Sequence, residues 1–231
     1  MATTEGQCAV CSKPGERCSS CENIYYCGAE CQKADWKVHK LLCRTFKDAR
    51  DAPGPEMVRV IEFPVDDTKP KFRWMPIGGY LFSRPDTGDF FGPDEPVPSI
   101  QSITTDPKTG KLLPQTISFL FRDNFLNDGS LPNKSVYHLT NGRPLNEARG
   151  PILFFGSEHE NDVEAGWRVF DCVDLYTTHL NVIKDWLIFG INANAERRSY
   201  WERNSGEAKA AAVSNLRSVL EKMRSGMGKP S

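Results

Sequence analysis

The sequence predicts an α+β protein, a small cysteine-rich finger followed by a mixed domain that closes with a helix. Two observations carry this expectation. Seven of the eight cysteines fall within the first 43 residues. From Val58 onward, short alternating apolar runs are separated by loops rich in Pro, Gly and Asp and are followed by segments of helical period.

The cysteines form a ladder of close pairs: Cys8-x2-Cys11, Cys18-x2-Cys21, Cys27-x3-Cys31 and His39-x3-Cys43. Each pair spans about one turn, so both of its donors can face one ion. Four such pairs suit two tetrahedral zinc ions, one held by four cysteines and one by three cysteines and a histidine. Spacing alone permits either sequential or interleaved pairing. A finger of residues 1–44 is too short to build a self-sufficient apolar core. Metal then supplies the folding free energy, about 10–16 kcal/mol for structural zinc in finger peptides. Eight donors for two ions leave no open coordination position, which points to structural rather than catalytic zinc. On this reading, acid or a strong chelator unfolds residues 8–43 while much of the larger domain persists.

The second half of the finger reads as a helix. Ala29 to Leu42 contains neither Pro nor Gly, and His39 and Cys43, four apart, share a face. Trp36, three residues before His39, lies on that side, where its ring shields the site or walls a groove. Lys33, Lys37, Lys40, Arg44 and Lys47 recur at spacings of four and three. They form one basic stripe if the helix continues, with a solvated face as the default meaning.

The segment IYYCGAECQKADWKVHKLLC, preceded by the two CxxC pairs, resembles a MYND-type zinc finger, with all eight ligand positions and the Gln32 and Trp36 positions filled. The resemblance covers residues 8–43. It implies an interleaved arrangement, with Cys8, Cys11, Cys27 and Cys31 on one zinc and Cys18, Cys21, His39 and Cys43 on the other. It also implies a partner, since several such fingers add a proline-rich peptide of PxLxP type as a strand beside their hairpin. Gln32, Trp36 and the hairpin around Tyr25 would make that contact. Backbone bonds then give affinity, and the preformed shape of a proline-rich ligand lowers its ordering cost.

Beyond the finger, residues 45–57 carry Pro53, Gly54 and Pro55 and read as a linker. An α+β domain is expected over residues 58–204, with a C-terminal helix and tail over 205–231. Strands are expected at Val58–Phe63, Lys71–Met75, Thr116–Phe121, Val136–Leu139, Pro151–Phe155 and Trp167–Val173. Asp174–Phe189 reads as a helix with Asp174 as N-cap, a stripe of Tyr176, Leu180, Ile183 and Leu187, and Gly190 at its end. A second amphipathic helix is expected over Glu207–Met223.

Composition narrows the function. The chain has 29 basic and 30 acidic residues, a formal charge of −1, which is no footprint for a general nucleic-acid binder. With its zinc thiolates counted, the finger itself is close to neutral, so nucleic acid is disfavoured as its partner. No run is long and apolar enough for a membrane helix, and the N-terminus lacks the pattern of a secretory signal. Thiolate zinc sites fit a reducing compartment, cytoplasm or nucleus.

MYND fingers also occur in SET-domain lysine methyltransferases, which makes a divergent enzyme of that kind the alternative reading. Downstream of Cys43, however, there is no Asn-His-Ser segment of the SET type and no second cysteine cluster. Gly78-Gly79 is too little for a cofactor loop, and no phosphate-binding or hydrolase motif is present. The lone Cys172 reads as a small strand residue, the acidic run at 157–162 as a solvated loop, and His138 and His179 as structural. No catalytic residue is assigned, and the expected role is protein–protein interaction through the finger.

Overall fold

The computed structural model describes residues 6–78, 84–88, 90–92, 98–158 and 171–190. The expected helix over Glu207–Met223, most of the acidic run and Gly79 lie outside them. The finger opens with a two-stranded hairpin, β1 (Glu16–Arg17) and β2 (Tyr25–Tyr26), followed by α1 (Ala29–Asp48). Next come β3 (Met57–Phe63), β4 (Lys71–Gly78), β5 (Arg84–Pro85), β6 (Ser99–Thr105) and β7 (Leu112–Phe121). After α2 (Lys134–Leu139), β8 (Ile152–Ser157) and β9 (Cys172–Val173), the described chain ends with α3 (His179–Phe189). The fold is α+β.

The large sheet is antiparallel throughout, in the order β5-β4-β3-β8-β7-β6, with β9 beside β8. Alternation along the strands gives it two apolar faces. Ile61, Phe63, Phe72, Ile103, Ile117, Phe119 and Phe154 point to one side. Val58, Val60, Met75, Leu120, Leu153 and Phe155 point to the other.

Both long helices lie against the first side. From α3 come Leu180, Val182, Ile183 and Leu187, and from α1 come Val38, Leu41, Leu42 and Phe46. The finger residues Cys18, Cys21, Ile24, Tyr26 and Cys43 belong to the same continuous cluster. Finger and sheet therefore share one core. Each large apolar side chain buried there contributes about 1.5–3 kcal/mol.

α1 reaches Asp48, inside the stretch expected as a linker, because Phe46 has a place to go. Its ring meets Phe72 of β4 at 5.3 Å between centroids in an edge-on arrangement. The Thr45 hydroxyl lies 3.5 Å from the Phe72 amide. Only residues 49–56 then connect α1 to β3.

Arg59 of β3 fastens that junction. Its side chain is 3% exposed and 3.3 Å from the Asp174 carboxylate. It donates to the carbonyls of Ala49 at 3.1 Å and Arg50 at 3.0 Å, just past the end of α1. It also donates to Leu175 at 2.9 Å. Phe46, Tyr176, Trp74 and Phe72 surround the guanidinium, with ring centroids 4.6–5.9 Å from its central carbon. Carbonyls at the end of a helix carry partial negative charge, so a buried cation is well placed there.

Two local expectations are corrected, and a strand forms where none was expected. Val136–Leu139 belongs to α2 rather than a strand. Asn133 caps that helix by accepting from the Val136 amide at 2.9 Å, while its own amide donates to Phe63 and Gly150, both at 2.8 Å. Asp174 does not cap α3, which begins at His179; its carboxylate accepts from the Arg59 amide at 2.9 Å and pairs with that side chain. β6, which was not expected, has few apolar residues and forms because β7 pairs with it from Ser99↔Phe121 through Ile103↔Ile117. Of Trp167–Val173, only Cys172–Val173 is a described strand; residues 167–170 lie outside.

Arg59→Ala would leave Asp174 and three carbonyls without their partner. It is expected to destabilise the protein by about 3–5 kcal/mol, read as a lower urea midpoint. Arg59→Lys is expected to recover only part of this loss, because an ammonium lacks the planar fork that reaches several acceptors at once.

Candidate metal centres in the finger

The two CxxC pairs are local turns of the same design. In each, the residue after the second cysteine has a positive φ, 60° at Ser12 and 54° at Glu22. Its amide donates to the carbonyl of the first cysteine, at 2.9 Å for Ser12 to Cys8 and 2.8 Å for Glu22 to Cys18. The chain therefore wraps around a point that both sulfurs face. Cys27 follows directly on β2, and α1 brings in the last three donors, Cys31 near its start and His39 and Cys43 one turn apart further along.

The donors gather into two tetrads, Cys8, Cys11, Cys27 and Cys31, and Cys18, Cys21, His39 and Cys43; within each, the ligand atoms lie within 4.8 Å of one another. The pairing is interleaved along the chain, so the finger is cross-braced, as the resemblance implies. Cys11 and Cys27 sulfurs are 3.4 Å apart, Cys27 and Cys31 3.5 Å, and Cys11 and Cys31 3.8 Å. In the second tetrad, Cys18 and Cys43 sulfurs are 4.0 Å apart, and Cys21 Sγ is 3.7 Å from His39 Nε2. A tetrahedron with zinc–sulfur bonds of about 2.3 Å has edges of about 3.8 Å. Both tetrads have the size of a zinc shell, and the protein's two sites fit two zinc ions.

The electrostatics call for a dication in each place. Burial would raise the Cys8 thiol, yet amides of Cys27, Val10 and Cys11 donating to its sulfur bring it down to about 6. In the same tetrad, hydrogen bonding to Cys27 sends Cys31 up to about 12. Burial, opposed by an Asn23 amide and reinforced by the neighbouring thiolates, sends Cys21 to about 12 in the second tetrad. In each tetrad one cysteine is thus brought down, Cys8 or Cys18, while a neighbour is pushed up, and a divalent cation at the centre would let all of them ionise. Burial also lowers the His39 pKa, favouring the neutral imidazole that binds metal. Its Nδ1 is buried without a hydrogen-bond partner among the described residues. Each tetrad offers four protein donors, so an ion held there would keep no open coordination position.

The sites differ in surroundings. Cys8 is buried, Cys31 half-buried and Cys11 and Cys27 exposed, whereas all four donors of the second tetrad are buried. Sequence reasoning missed what ties the sites to the body. Asp35 sits one turn from both Cys31 and His39 on α1 and is buried. It accepts from the Tyr26 hydroxyl at 2.6 Å and from the Asn181 amide of α3 at 2.7 Å. Asn23 accepts from the Thr177 hydroxyl at 2.9 Å. A carboxylate four residues from two ligands was the available signal for Asp35; nothing local marked Asn23.

Trp36 is 45% exposed, with its ring centroid 5.9 Å from that of His39. Gln32, one turn earlier, is half-buried. The Tyr25 hydroxyl accepts from Arg17 at 2.6 Å, and the guanidinium lies over the Tyr25 ring. Outside the finger, burial, reinforced by the neighbouring Asp171 carboxylate, pushes the Cys172 thiol up to about 12. His179 accepts from the Tyr176 amide at 2.8 Å, and burial lowers its pKa to about 4. His138 is exposed on α2. None of the described helices is long and apolar enough to cross a membrane.

Chelator treatment is expected to release zinc in two phases, the exposed tetrad first. Because the second tetrad lies within the common core, its loss is expected to lower the melting temperature of the sheet as well. Released zinc followed beside the near-ultraviolet signal of Trp74 and Trp186 would check both points.

The MYND finger family model matches residues 8–43. Over 55 residues the chain is 40% identical to ubiquitin carboxyl-terminal hydrolase 19 of Arabidopsis thaliana, a stretch covering 23% of this chain and 8% of that protein. It is 44% identical over 41 residues to SET domain-containing protein 14 of Caenorhabditis elegans, covering 18% and 10%. It is 42% identical over 41 residues to the zinc finger MYND domain-containing protein 10 homolog of Drosophila melanogaster, covering 17% and 9%. The chain thus spans only a tenth or less of these relatives, and no solved structure matches it. The N-terminal segment, residues 8–43, is a MYND-type zinc finger, carried here on a sheet domain that lies beyond the reach of these matches.

Proposed function

We propose that this protein is an adaptor that captures a proline-rich segment of a partner protein on its zinc finger and acts by binding, without catalysis of its own. The observation that carries this reading is Trp36. It is the exposed aromatic of α1, while Phe46 of the same helix is buried in the common core. Large rings left half-exposed beside a rigid framework are typical anchors for peptides. Gln32 stands one turn away as a polar side chain for register.

The hairpin supports the same reading. One edge of β2 meets β1, and its other side is occupied where Cys8 bridges to Tyr25 and Ala9 donates to the Tyr25 carbonyl at 2.9 Å. The outer edge of β1 is the side that the two-stranded sheet leaves open among the described residues. An extended peptide adds there by backbone hydrogen bonds. Zinc thiolates are best kept in a reducing compartment, so the adaptor works inside the cell on this reading.

Titration of the zinc-loaded protein with PxLxP peptides is expected to show saturable binding. Trp36→Ala is expected to weaken it by about tenfold or more, in line with the loss of a hot-spot aromatic. Gln32→Ala is expected to weaken it less, with both zincs retained in each variant. Equal affinity in the wild type and Trp36→Ala would remove the groove. Calorimetry with S-adenosylmethionine is expected to show no binding; a clear heat would favour the methyltransferase reading.

A further inference from the structure

We infer that the outer ridge of α1 docks an acidic run flanking the proline-rich core of the partner. This deepens the adaptor reading and rests on it for the junction at Trp36. α1 is one uninterrupted helix from Ala29 to Asp48, so the basic stripe is a physical feature. Lys33, Lys37, Lys40, Arg44 and Lys47 are all exposed. At about 100° per residue they fall within an arc of about 80° and extend about 21 Å along the axis.

The ridge has little internal compensation among the described residues. Lys33 pairs with Glu30 at 3.3 Å, with both side chains largely in solvent. Lys37, Lys40, Arg44 and Lys47 have no carboxylate within ion-pair distance among the described residues. Asp35, the acidic residue in the middle of the helix, is buried and committed to Tyr26 and Asn181. Like charges three and four apart on a helix repel. An acidic ligand relieves that repulsion at every position it meets.

The ridge also adjoins the groove. Trp36 is three residues from Lys33 and four from Lys40, a neighbour of both on the helix surface. A peptide anchored at Trp36 therefore has the cations within reach of its flanking residues. Nucleic acid fits less well. The chain as a whole carries a formal charge of −1, and the zinc thiolates place negative charge behind the same helix. A strip one helix wide contacts few phosphates. Complementary charge in a protein ligand chiefly speeds association and fixes direction, with a smaller gain in affinity.

The test uses the full zinc-loaded chain and fluorescent peptides: a PxLxP core alone, the core with a glutamate run, the core with a lysine run, and the glutamate run alone. The glutamate flank is expected to tighten binding by about tenfold at low salt, several exposed ion pairs each contributing a little. At roughly 0.5 M salt that gain is expected to vanish through screening. The triple variant Lys37→Gln, Lys40→Gln, Arg44→Gln, with both zincs bound, is expected to lose the gain and keep the affinity for the bare core.

Equal binding of glutamate- and lysine-flanked peptides would overturn the inference while leaving the groove intact. So would a triple variant that retains the gain, or a short DNA duplex that displaces the glutamate-flanked peptide. Failure of every core peptide would sink the adaptor reading. The ridge would then stand only if the glutamate run alone binds the wild type and not the triple variant, and would fall if it binds neither.

Discussion

One helix has to satisfy two demands at once, and the rest of the structure follows from that. α1 supplies Cys31 to one zinc site and His39 and Cys43 to the other, and the same helix sends Val38, Leu42 and Phe46 into the core of the sheet. Metal coordination fixes the helix by a few short, directional bonds. Packing fixes it by many weak contacts. Neither could hold so small a segment alone, since a finger of this length lacks the apolar surface for a core and an isolated helix of this size is marginal in water.

The buried polar groups show how the two demands are reconciled. Asp35 lies between the zinc ligands of α1 and takes hydrogen bonds from Tyr26 and Asn181. Arg59 reaches from the sheet to the carbonyls just past the end of α1 and is itself answered by Asp174. A buried charge is costly unless it is paired and fully hydrogen-bonded. Both groups meet that condition only while finger and sheet are together. They therefore add specificity to a joint whose bulk stabilisation is apolar.

Much of this was legible in the sequence, unevenly. The ladder from Cys8 to Cys43 announced two ions, because few other arrangements place soft donors at such short, repeated spacings. The alternation of Ile117, Phe119 and Phe121 announced a strand for the same kind of local reason. β6 escaped notice because Ser, Gln and Thr make a strand only when a neighbour such as β7 offers its free edge. Val136–Leu139 reads as a strand by propensity, yet Asn133 and the packing of α2 override it. Asp174 has the chemistry of a helix cap and is diverted by Arg59, 115 residues earlier. Of the metal site every donor was visible, whereas the ties at Asn23, Asp35 and Arg59 depend on partners distant in sequence.

The short connection after α1 has a consequence for how a ligand would be presented. A finger on a flexible tether lets its cargo sample a volume, and the encounter with anything else on the same chain is then a matter of effective concentration. Here residues 49–56 are pinned at their start by Arg59, and Phe46 is locked against Phe72. There is no swivel. Cargo on the outer face of α1 would point along a direction set by the strands beneath it, so the sheet acts as a mount that gives the finger a fixed bearing.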